Sequence, residues 1–374
     1  MPMNTVAPIV QAYLLLEDGT MFTGKSFGAS GTSGGEICFN TGMTGYQEVF
    51  TDPSYTGQLL IMNNAYIGNY GVKTEDVESG SVKIRGLICK NISERYSRMQ
   101  ASGSIAEYLK DNNIVAIEGV DTRALVQHIR SKGAMNAIIS TELSDFDSLK
   151  SRLKEVPSMD GLELSTGVST TEPYYYGSPD AAIKVAVLDF GLKRSMLQNF
   201  DARGVYLKIF PAHSSLADMQ DFSADGYFVS NGPGDPAAMD YAVETVKAIL
   251  DSGKPMFGIC LGQQLLARAV GIPTYKMHHG HRGLNHPVKN LISGKSEITT
   301  QNHGFGISPE ATRACAEVEI THINLNDQSI EGIRLRDKPA FSVQYHPEST
   351  PGTYDSRYLF DDFIDLIRQH QTKN

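Results

Sequence analysis

The sequence predicts an α/β protein of two domains, a strand-rich N-terminal α/β domain and a C-terminal doubly wound α/β domain. In the first half, short apolar runs are separated by Gly, Thr, Tyr and Asn at turn spacing, which is typical of short strands. Residues 165–182 are rich in Ser, Thr, Gly and Pro and have no period. Beyond them, continuous apolar runs alternate with helical patterns, as in parallel sheets covered by helices. We therefore assign the first domain to residues 1–164, a linker to residues 165–182 and the second domain to residues 183–374.

Near the N-terminus, the sequence GTMFTGKS at residues 19–26 matches the pattern of a phosphate-binding loop. Such a loop needs a strand before it and a helix after it, because the helix N-terminus helps to hold the phosphate. Here Asp18-Gly19 is typical of a hairpin turn, and the Gly- and Ser-rich residues 27–35 are unsuited to begin a helix. We therefore predict a β-hairpin, and no ATP site, at this position.

The remaining elements follow from apolar periodicity and from capping residues. In the first half, a helix is predicted to begin after Asp121, as its N-cap, and to end at Gly133. In the second half, a helix is predicted to begin at Asp235-Pro236, since proline fits the first helical position, and another covers residues 359–367. Strands are predicted where the apolar residues are continuous, at residues 183–191, 205–210, 226–230, 255–259 and 340–345.

The composition is that of a globular protein, with 41% hydrophobic and 20% charged residues. The formal net charge of −9 argues against a nucleic-acid partner. No apolar run reaches the ~18 residues that a membrane span needs, and we identify no secretory signal pattern. The four cysteines include no Cys-x-x-Cys pair, which favours a reducing compartment over a disulfide framework or a zinc knuckle. We therefore expect a cytoplasmic protein with neither membrane nor nucleic acid as a partner.

One cysteine, Cys260, lies in the sequence Gly-Ile-Cys-Leu-Gly at a predicted strand-to-helix junction. This is the cysteine form of the sharp turn that exposes a nucleophile, and its flanking glycines permit the strained backbone. At the N-terminus of a helix, the positive end of the dipole favours the thiolate, which is the reactive form. The alternative is a buried structural cysteine. We predict a nucleophile at Cys260 and adopt the structural interpretation for the others, Cys38, Cys89 and Cys315.

A nucleophilic cysteine needs a base, and His346 is the best placed of the ten histidines. It follows the buried-looking strand at residues 340–345, and Glu348 comes two residues later, where its carboxylate could orient the imidazole. Cys260, His346 and Glu348 would then form a catalytic triad. Taken alone, the sequence around His346 is equally consistent with a polar turn at the end of a strand.

Two further stretches are candidates for chemistry. The sequence SNGPGDP at residues 230–236 could direct backbone N–H groups at a developing oxyanion, although its composition is common in turns. Residues 278–287 contain four histidines, but no acidic residue lies nearby in the sequence and the spacing fits no recognisable zinc site. We therefore predict no metal site in this chain.

These motifs together resemble two known families. The second half, from residue 184 to about 367, is similar to the class I glutamine amidotransferase domain in SNGPGDP, GICLGQQLL, QNHGF and YHPES. The first half resembles the N-terminal domain of the carbamoyl-phosphate synthetase small-subunit family in FNTGMTGYQEVFTDPSYTGQ and NIVAIEGVDTRAL, and GHRGLNHPV in the second half fits the same family. The resemblance therefore covers nearly the whole chain.

The resemblance implies a role for individual residues. Cys260 would be the nucleophile, His346 the base and acid, and Glu348 the orienting carboxylate. Gln264 follows Cys260 by four residues, so both side chains would lie on one face of the helix. Gln263 departs from the family, in which many members have histidine, but no triad role falls there. The residues implied to hold glutamine are Ser54, Gly232, Gly234, Leu261, Gln264, Asn302, Gly304 and Phe305; the sequence leaves open whether Ser54 reaches the second domain.

The activity implied by the resemblance is that of a glutaminase subunit. Glutamine would be hydrolysed to glutamate and ammonia through a thioester on Cys260. The ammonia would pass to a large subunit, in a heterodimer or a higher assembly, which uses ATP to make carbamoyl phosphate from bicarbonate. ATP and Mg²⁺ are expected on the large subunit, and this chain is expected to hold no cofactor. The alternatives are a glutaminase subunit of another amidotransferase, a free-standing γ-glutamyl hydrolase and an inert regulatory subunit.

Overall fold

The computed structural model describes residues 10–373 of the chain. These residues divide into two compact units. The first unit holds residues 10–47, 57–76 and 84–158, and the second holds residues 48–56, 77–83 and 159–373. Two short segments of the first half therefore belong to the second unit, although no composition or period in the sequence marks them.

The elements are numbered in chain order. The strands are β1 (Gln11–Leu16), β2 (Met21–Ser26), β3 (Thr32–Asn40), β4 (Gln58–Met62), β5 (Gly86–Cys89), β6 (Val115–Glu118), β7 (Asn136–Ser140), β8 (Tyr174–Tyr176), β9 (Ile183–Asp189), β10 (Val205–Pro211), β11 (Gly226–Val229), β12 (Met256–Ile259), β13 (Thr274–Asn290), β14 (Ser296–Ile307), β15 (Val318–Asn324), β16 (Ile330–Leu335) and β17 (Ala340–Val343). The α-helices are α1 (Tyr46–Thr51), α2 (Ile105–Asp111), α3 (Thr122–Lys132), α4 (Phe146–Leu153), α5 (Arg194–Asp201), α6 (Leu216–Met219), α7 (Asp240–Asp251), α8 (Leu261–Ala269), α9 (Pro309–Ala314) and α10 (Tyr358–Lys373). Short 3-10 turns occupy Pro53–Tyr55, Gln220–Phe222 and Pro236–Ala238.

The first unit is a closed barrel of seven strands in the order β1-β2-β6-β5-β4-β3-β7. β1 and β2 form the predicted antiparallel hairpin, in which Gly19 has a φ of 90° and Asp18 accepts a hydrogen bond from the N–H of Thr20 at 3.0 Å. β2 runs to Ser26, and residues 27–45 contain no helix. The hairpin prediction is confirmed, so GTMFTGKS lies in the turn and second strand of the hairpin and lacks the strand–loop–helix geometry of a phosphate site.

The predicted helix in the first half is also confirmed, as α3. Asp121 caps it by accepting a hydrogen bond from the N–H of Ala124 at 3.0 Å, and Gly133 ends it with a φ of 100°. Its buried face, which includes Leu125 and Ile129, joins the apolar core of the barrel. Capping residues and periodicity were sufficient to predict this element because all of its determinants are local.

The second unit contains a ten-stranded sheet in the order β14-β13-β15-β16-β17-β12-β11-β9-β10-β8. Five adjacent strands, from β17 to β10, are parallel, and antiparallel strands extend the sheet on both sides. Side chains alternate along β9, so that Ala186 and Leu188 face a core with α7 and α8, while Val185 and Val187 face a core with α5 and α10. Helices on both faces of parallel strands confirm the doubly wound fold.

Local details depart from the pattern expected along the chain. Asp235 begins a 3-10 turn and α7 starts only at Asp240, because the Asp235 carboxylate accepts a hydrogen bond from the N–H of Ala237 at 2.8 Å and tightens the turn. Residues 165–182 include β8, which pairs with β10 at the sheet edge. Among residues 10–373, no helix has both the length and the apolar character that crossing a membrane requires.

The parallel strands of the second unit bring the candidate site residues to one edge of the sheet. β9, β11, β12 and β17 end at the same edge of the sheet, since they run in one direction. The residues that follow them include Lys193, the loop at residues 230–236, Cys260 and His346. In doubly wound sheets this carboxyl edge is where ligands bind.

Candidate active site

Cys260 lies where the chain turns from β12 into α8. Its φ of 55° and ψ of −103° are unfavourable for a residue with a side chain. A Cβ on Gly258 would lie 2.8 Å from the backbone of Gly262, and a Cβ on Gly262 would lie 2.3 Å from the carbonyl oxygen of Val229. The thiol is buried, and its Sγ contacts the carbonyl oxygen of Asn302 at 3.6 Å. The turn therefore needs both glycines and presents the thiol at the N-terminus of α8.

Replacing Gly262 by alanine is expected to destabilise the protein by ~1–3 kcal/mol, because the added methyl group overlaps a carbonyl oxygen of β11. Urea unfolding measures the change in the free energy of unfolding. Gly103→Ala is the control, since its methyl group would have only a side-chain carbon of Val72, at 3.7 Å, as a neighbour. Equal stability of the two variants would contradict the steric argument.

His346 follows β17, the strand beside β12, and is fully buried with Glu348. Its Nδ1 donates a hydrogen bond to Oε1 of Glu348 at 2.9 Å. Its Nε2 has no hydrogen-bond partner within the described residues and is the nitrogen left for proton transfer. Burial acts to lower the pKa of His346, but the Glu348 carboxylate and the interaction with Cys260 outweigh burial and raise the pKa. The structure thus brings the three predicted triad residues into one buried cluster.

Lys193 completes this cluster and was not predicted. It precedes α5, its side chain is buried, and its Nζ lies 2.9 Å from Oε1 of Glu348. Burial disfavours the charged lysine, but the carboxylates of Glu348, Glu78 and Asp52 outweigh burial and raise its pKa. Burial likewise disfavours the charged Glu348, but Lys193 and then His346 outweigh it and hold the pKa of Glu348 below its usual value. Glu348 is therefore ionised and stabilises a protonated His346.

Residues 48–56 bring Ser54 to the carboxyl edge of the sheet. Asp52 accepts a hydrogen bond from the N–H of Ser54 at 2.9 Å, and its other carboxylate oxygen accepts one from Nδ2 of Asn302 at 3.0 Å. Ser54 Oγ accepts a hydrogen bond from Nδ2 of Asn231 at 2.9 Å. The question that the sequence left open is answered, because Ser54 lies beside the SNGPGDP loop of the second unit.

The SNGPGDP loop lies against the first residue of α8. A Cβ on Gly232 would lie 2.2 Å from the carbonyl oxygen of Phe190 and 2.9 Å from the side chain of Leu261. Gly234 has a φ of 96°, and a Cβ there would lie 2.7 Å from the carbonyl oxygen of Leu162. Both glycines are therefore required by close contacts, and the structure brings Gly232, Gly234 and Leu261 together.

Gln264 lies one helical turn after Cys260 and is buried. Its Nε2 donates hydrogen bonds to the carbonyl oxygen of Phe305 at 2.9 Å and to Oε1 of Gln344 at 3.2 Å, which ties α8 to β14. Gly304 is partly exposed beside the buried Phe305. Gln263, the departure from the family, is buried, and Nε2 of its side chain donates a hydrogen bond to the carbonyl oxygen of Ile330 at 3.2 Å.

Acidic side chains lie close to the histidine-rich stretch in the structure, although none lies close to it in the sequence. His281, His303 and Glu331 are buried with potential metal-ligand atoms within 4.8 Å of one another. Nε2 of His281 lies 2.9 Å from the carboxylate of Asp327, and its Nδ1 lies 3.4 Å from Glu331. Burial alone would lower the pKa of His281, but Asp327 and Glu331 outweigh it and raise the pKa to about 9. His281 therefore lies between two carboxylates, while His303 contacts the carbonyl oxygen of Phe305 and the side chain of Gln301.

Sequence reasoning missed Lys193, Asp52, Asn231 and Glu78 as neighbours of the triad. Lys193 and Asn231 lie in the segments that follow β9 and β11, so their positions after two parallel strands were a usable signal. Asp52 and Glu78 belong to the two first-half segments within the second unit, and no sequence signal indicated this association.

The comparisons with known proteins agree with this architecture. Residues 186–366 match the family model described as glutamine amidotransferase class-I, and residues 14–139 match the model described as carbamoyl-phosphate synthase small chain, CPSase domain. A glutamine amidotransferase of known structure from Thermotoga maritima has a TM-score of 0.36 and 16% identity, covering 50% of this chain and 85% of its own. The match to the family model over residues 186–366 identifies the second half of the chain as a class I glutamine amidotransferase domain.

Relatives over nearly the full length identify the family more narrowly. A carbamoyl phosphate synthase small chain from Synechococcus sp. is 46% identical over 372 residues, covering 96% of this chain and 94% of the relative. One from Chlorobaculum tepidum is 45% identical over 362 residues, covering 96% and 98%. The chain belongs to the carbamoyl-phosphate synthase small chain family, and the resemblance drawn from its motifs is confirmed.

Proposed function

We propose that this chain hydrolyses glutamine to glutamate and ammonia and delivers the ammonia to an ATP-dependent large subunit that makes carbamoyl phosphate from bicarbonate. The observation that carries the proposal is the buried cluster of Cys260, which lies on a strained turn, His346 and Glu348, in which His346 hydrogen-bonds to Glu348. Membership of the family supports glutamine as the substrate and a large subunit as the partner. A cytoplasmic location remains a prediction.

Glutamine binds at the carboxyl edge of the sheet in this proposal. Its side-chain carboxamide meets Cys260, and the remainder of the molecule is held by the surrounding binding residues. The buried hydrogen bonds of Asp52 and Asn231 support the residues beside them and so fix the shape of the site. The proposed binding residues are Ser54, Gly232, Gly234, Leu261, Gln264, Asn302, Gly304 and Phe305.

In the first half-reaction, the Cys260 thiolate attacks the carboxamide carbon of glutamine. The backbone N–H of Leu261 and the loop at Gly234 stabilise the oxyanion. The protonated His346 then gives its proton to the amide nitrogen as the carbon–nitrogen bond breaks. Ammonia leaves, and a γ-glutamyl thioester remains on Cys260.

In the second half-reaction, Nε2 of His346 takes a proton from water while the oxygen of that water attacks the thioester carbon. The carbon–sulfur bond breaks and the thiolate returns, with His346 protonated again. The new carboxyl group loses its proton to solvent, and glutamate is released. Glu348 orients the ring of His346 and stabilises its charged form throughout, with Lys193 keeping Glu348 ionised.

The direct test of this function is to incubate the purified chain, with and without its large subunit, with glutamine and to measure glutamate and ammonia. The intact thioester adds the mass of a γ-glutamyl group to the peptide that contains Cys260, and mass spectrometry after acid quenching would detect it. Absence of both the products and the adduct in the complex would exclude the proposed glutaminase.

ATP and Mg²⁺ belong to the large subunit in this proposal. Lys25→Ala is therefore expected to leave the ATP-dependent activity of the complex nearly unchanged, because Lys25 lies in β2 of a hairpin and no helix begins after Ser26. Steady-state carbamoyl phosphate synthesis at varied ATP measures this. A large loss of activity, or a raised KM for ATP, would contradict the assignment of GTMFTGKS to the hairpin alone.

A further inference from the structure

We infer that Glu78 is a positioning residue for the active site, which holds the start of α5 so that Lys193 keeps the Glu348 carboxylate in place behind His346. The inference rests on the proposed glutaminase function. Glu78 comes from residues 77–83, one of the two first-half segments within the second unit, and none of the sequence motifs includes it.

The contacts of Glu78 cap α5. Its carbonyl oxygen accepts a hydrogen bond from the N–H of Arg194 at 2.8 Å. Its Oε2 accepts hydrogen bonds from the N–H of Ser195 at 3.1 Å and from Oγ of Ser195 at 2.7 Å. Arg194 and Ser195 are the first two residues of α5, and Lys193 before them makes no side-chain capping bond. Glu78 therefore supplies the acceptors that the N-terminus of this helix lacks.

The helix start that Glu78 holds is also where Lys193 is anchored. Nζ of Lys193 donates a hydrogen bond to the carbonyl oxygen of Thr350 at 2.7 Å and lies 2.9 Å from Oε1 of Glu348. The ammonium therefore contacts the chain segment just after His346 at two points. If the N-terminus of α5 were displaced, this ammonium would move with it. Glu348 would then lose the positive charge that offsets the cost of burying its carboxylate.

Charge as well as geometry links Glu78 to the triad. Lys193 interacts with the carboxylates of both Glu78 and Glu348, while the two carboxylates repel each other; Asp52 adds a third negative charge near Lys193. Burial raises the pKa of Glu78 to about 7, although Lys193 and the hydrogen bonds from Ser195 act in the opposite direction. Glu78 is therefore charged above about pH 7 and neutral below it, so its support of Lys193 is present at high pH and lost as the pH falls.

The test compares Glu78→Gln with the wild-type complex across pH. Glutamine keeps the size and one acceptor oxygen but never carries the charge. At about pH 8.5 we expect kcat for glutamine hydrolysis to fall roughly tenfold, with KM changed less than about twofold, because a displaced supporting group impairs the chemical step. Near pH 6 the wild-type carboxyl is itself protonated, so the ratio of the two kcat values is expected to approach about one.

Several controls make the result specific. Glu319→Gln makes the same change of charge at a partly exposed glutamate that pairs with Arg334, and it is expected to leave kcat unchanged. Ammonium-dependent synthesis should be unchanged in Glu78→Gln, because that reaction bypasses glutamine hydrolysis. A ratio of kcat values that stays constant with pH would overturn the positioning role and leave only a structural cap. A wild-type complex without glutaminase activity would instead overturn the proposed function.

A second variant tests the inference if Glu78→Gln fails to fold. Ser195→Ala removes the 2.7 Å hydrogen bond that favours the charged form of Glu78, while the N–H bond remains. The pKa of Glu78 should then rise, and the acid limb of the kcat profile should shift to higher pH. An unshifted acid limb in a folded Ser195→Ala protein would contradict the inference.

Discussion

Replacing His346 by asparagine is expected to reduce glutamine turnover by ~10²–10⁴-fold, because both half-reactions lose the group that moves the proton. Asparagine is smaller and cannot carry a proton near neutral pH, although it can still hydrogen-bond. Binding of glutamine should change little, since His346 is not among the proposed binding residues. Steady-state kcat and KM, with a rapid-quench measurement of the thioester, would separate binding from chemistry.

Glu348→Ala provides the comparison, and it is expected to be less damaging than His346→Asn because an orienting group only supports the proton transfer. The buried Lys193 then loses a partner, so Glu348→Gln is the better-matched variant for activity. Glu348 raises the pKa of His346, so either replacement should lower that pKa and move the alkaline limb of the rate profile, where His346 loses its proton, to lower pH. A larger loss in Glu348→Gln than in His346→Asn would show that the roles are wrongly assigned.

The parts of the fold that were predictable are those with local determinants. β9 is a continuous apolar run because helices cover both of its faces, and that burial is visible in its composition. Asp18-Gly19 and Asp121 specify a turn and a cap through their own backbone and neighbouring N–H groups. The β13 to β16 region was not predicted, because its strands mix polar and apolar residues and register shifts interrupt the pairing of β13 with β14 and of β15 with β16.

In the site, too, the residues with local sequence signals were predicted and those that depend on distant partners were not. Cys260 and His346 were found because each directly follows a buried strand, and parallel strands bring such positions to one edge. The links that tune them join residues far apart in the chain, such as Glu78 with Ser195 and Asp52 with Asn302. A single sequence carries no signal for such a pair. The same holds for His281 and Glu331, which are neighbours in the structure but far apart in the chain. The absence of an acidic residue near the histidines in the sequence was therefore not a valid argument against a metal site.

Replacing Cys260 by serine is expected to have the largest effect on glutamine hydrolysis, a loss of at least about 10³-fold. A hydroxyl is a far weaker nucleophile than a thiolate unless a base activates it. An alkoxide is much harder to form than a thiolate, because a hydroxyl is a far weaker acid than a thiol. Serine is nearly the same size as cysteine, so the strained turn at φ 55° and its flanking glycines should be preserved.

The same variant tests whether the work is divided between two subunits. If this chain only supplies ammonia, external ammonium should still support carbamoyl phosphate synthesis by the Cys260→Ser complex, because the chemistry of the large subunit does not use this thiol. Cys315→Ser is the matched control, since Cys315 is a partly buried cysteine away from the triad, and both activities should survive there. A free-standing hydrolase predicts no rescue by ammonium. Loss of both activities in a Cys260→Ser complex that still assembles would contradict the proposed separation of the two reactions. Ammonium enters after glutamine hydrolysis, which is the only reaction that uses the thiol.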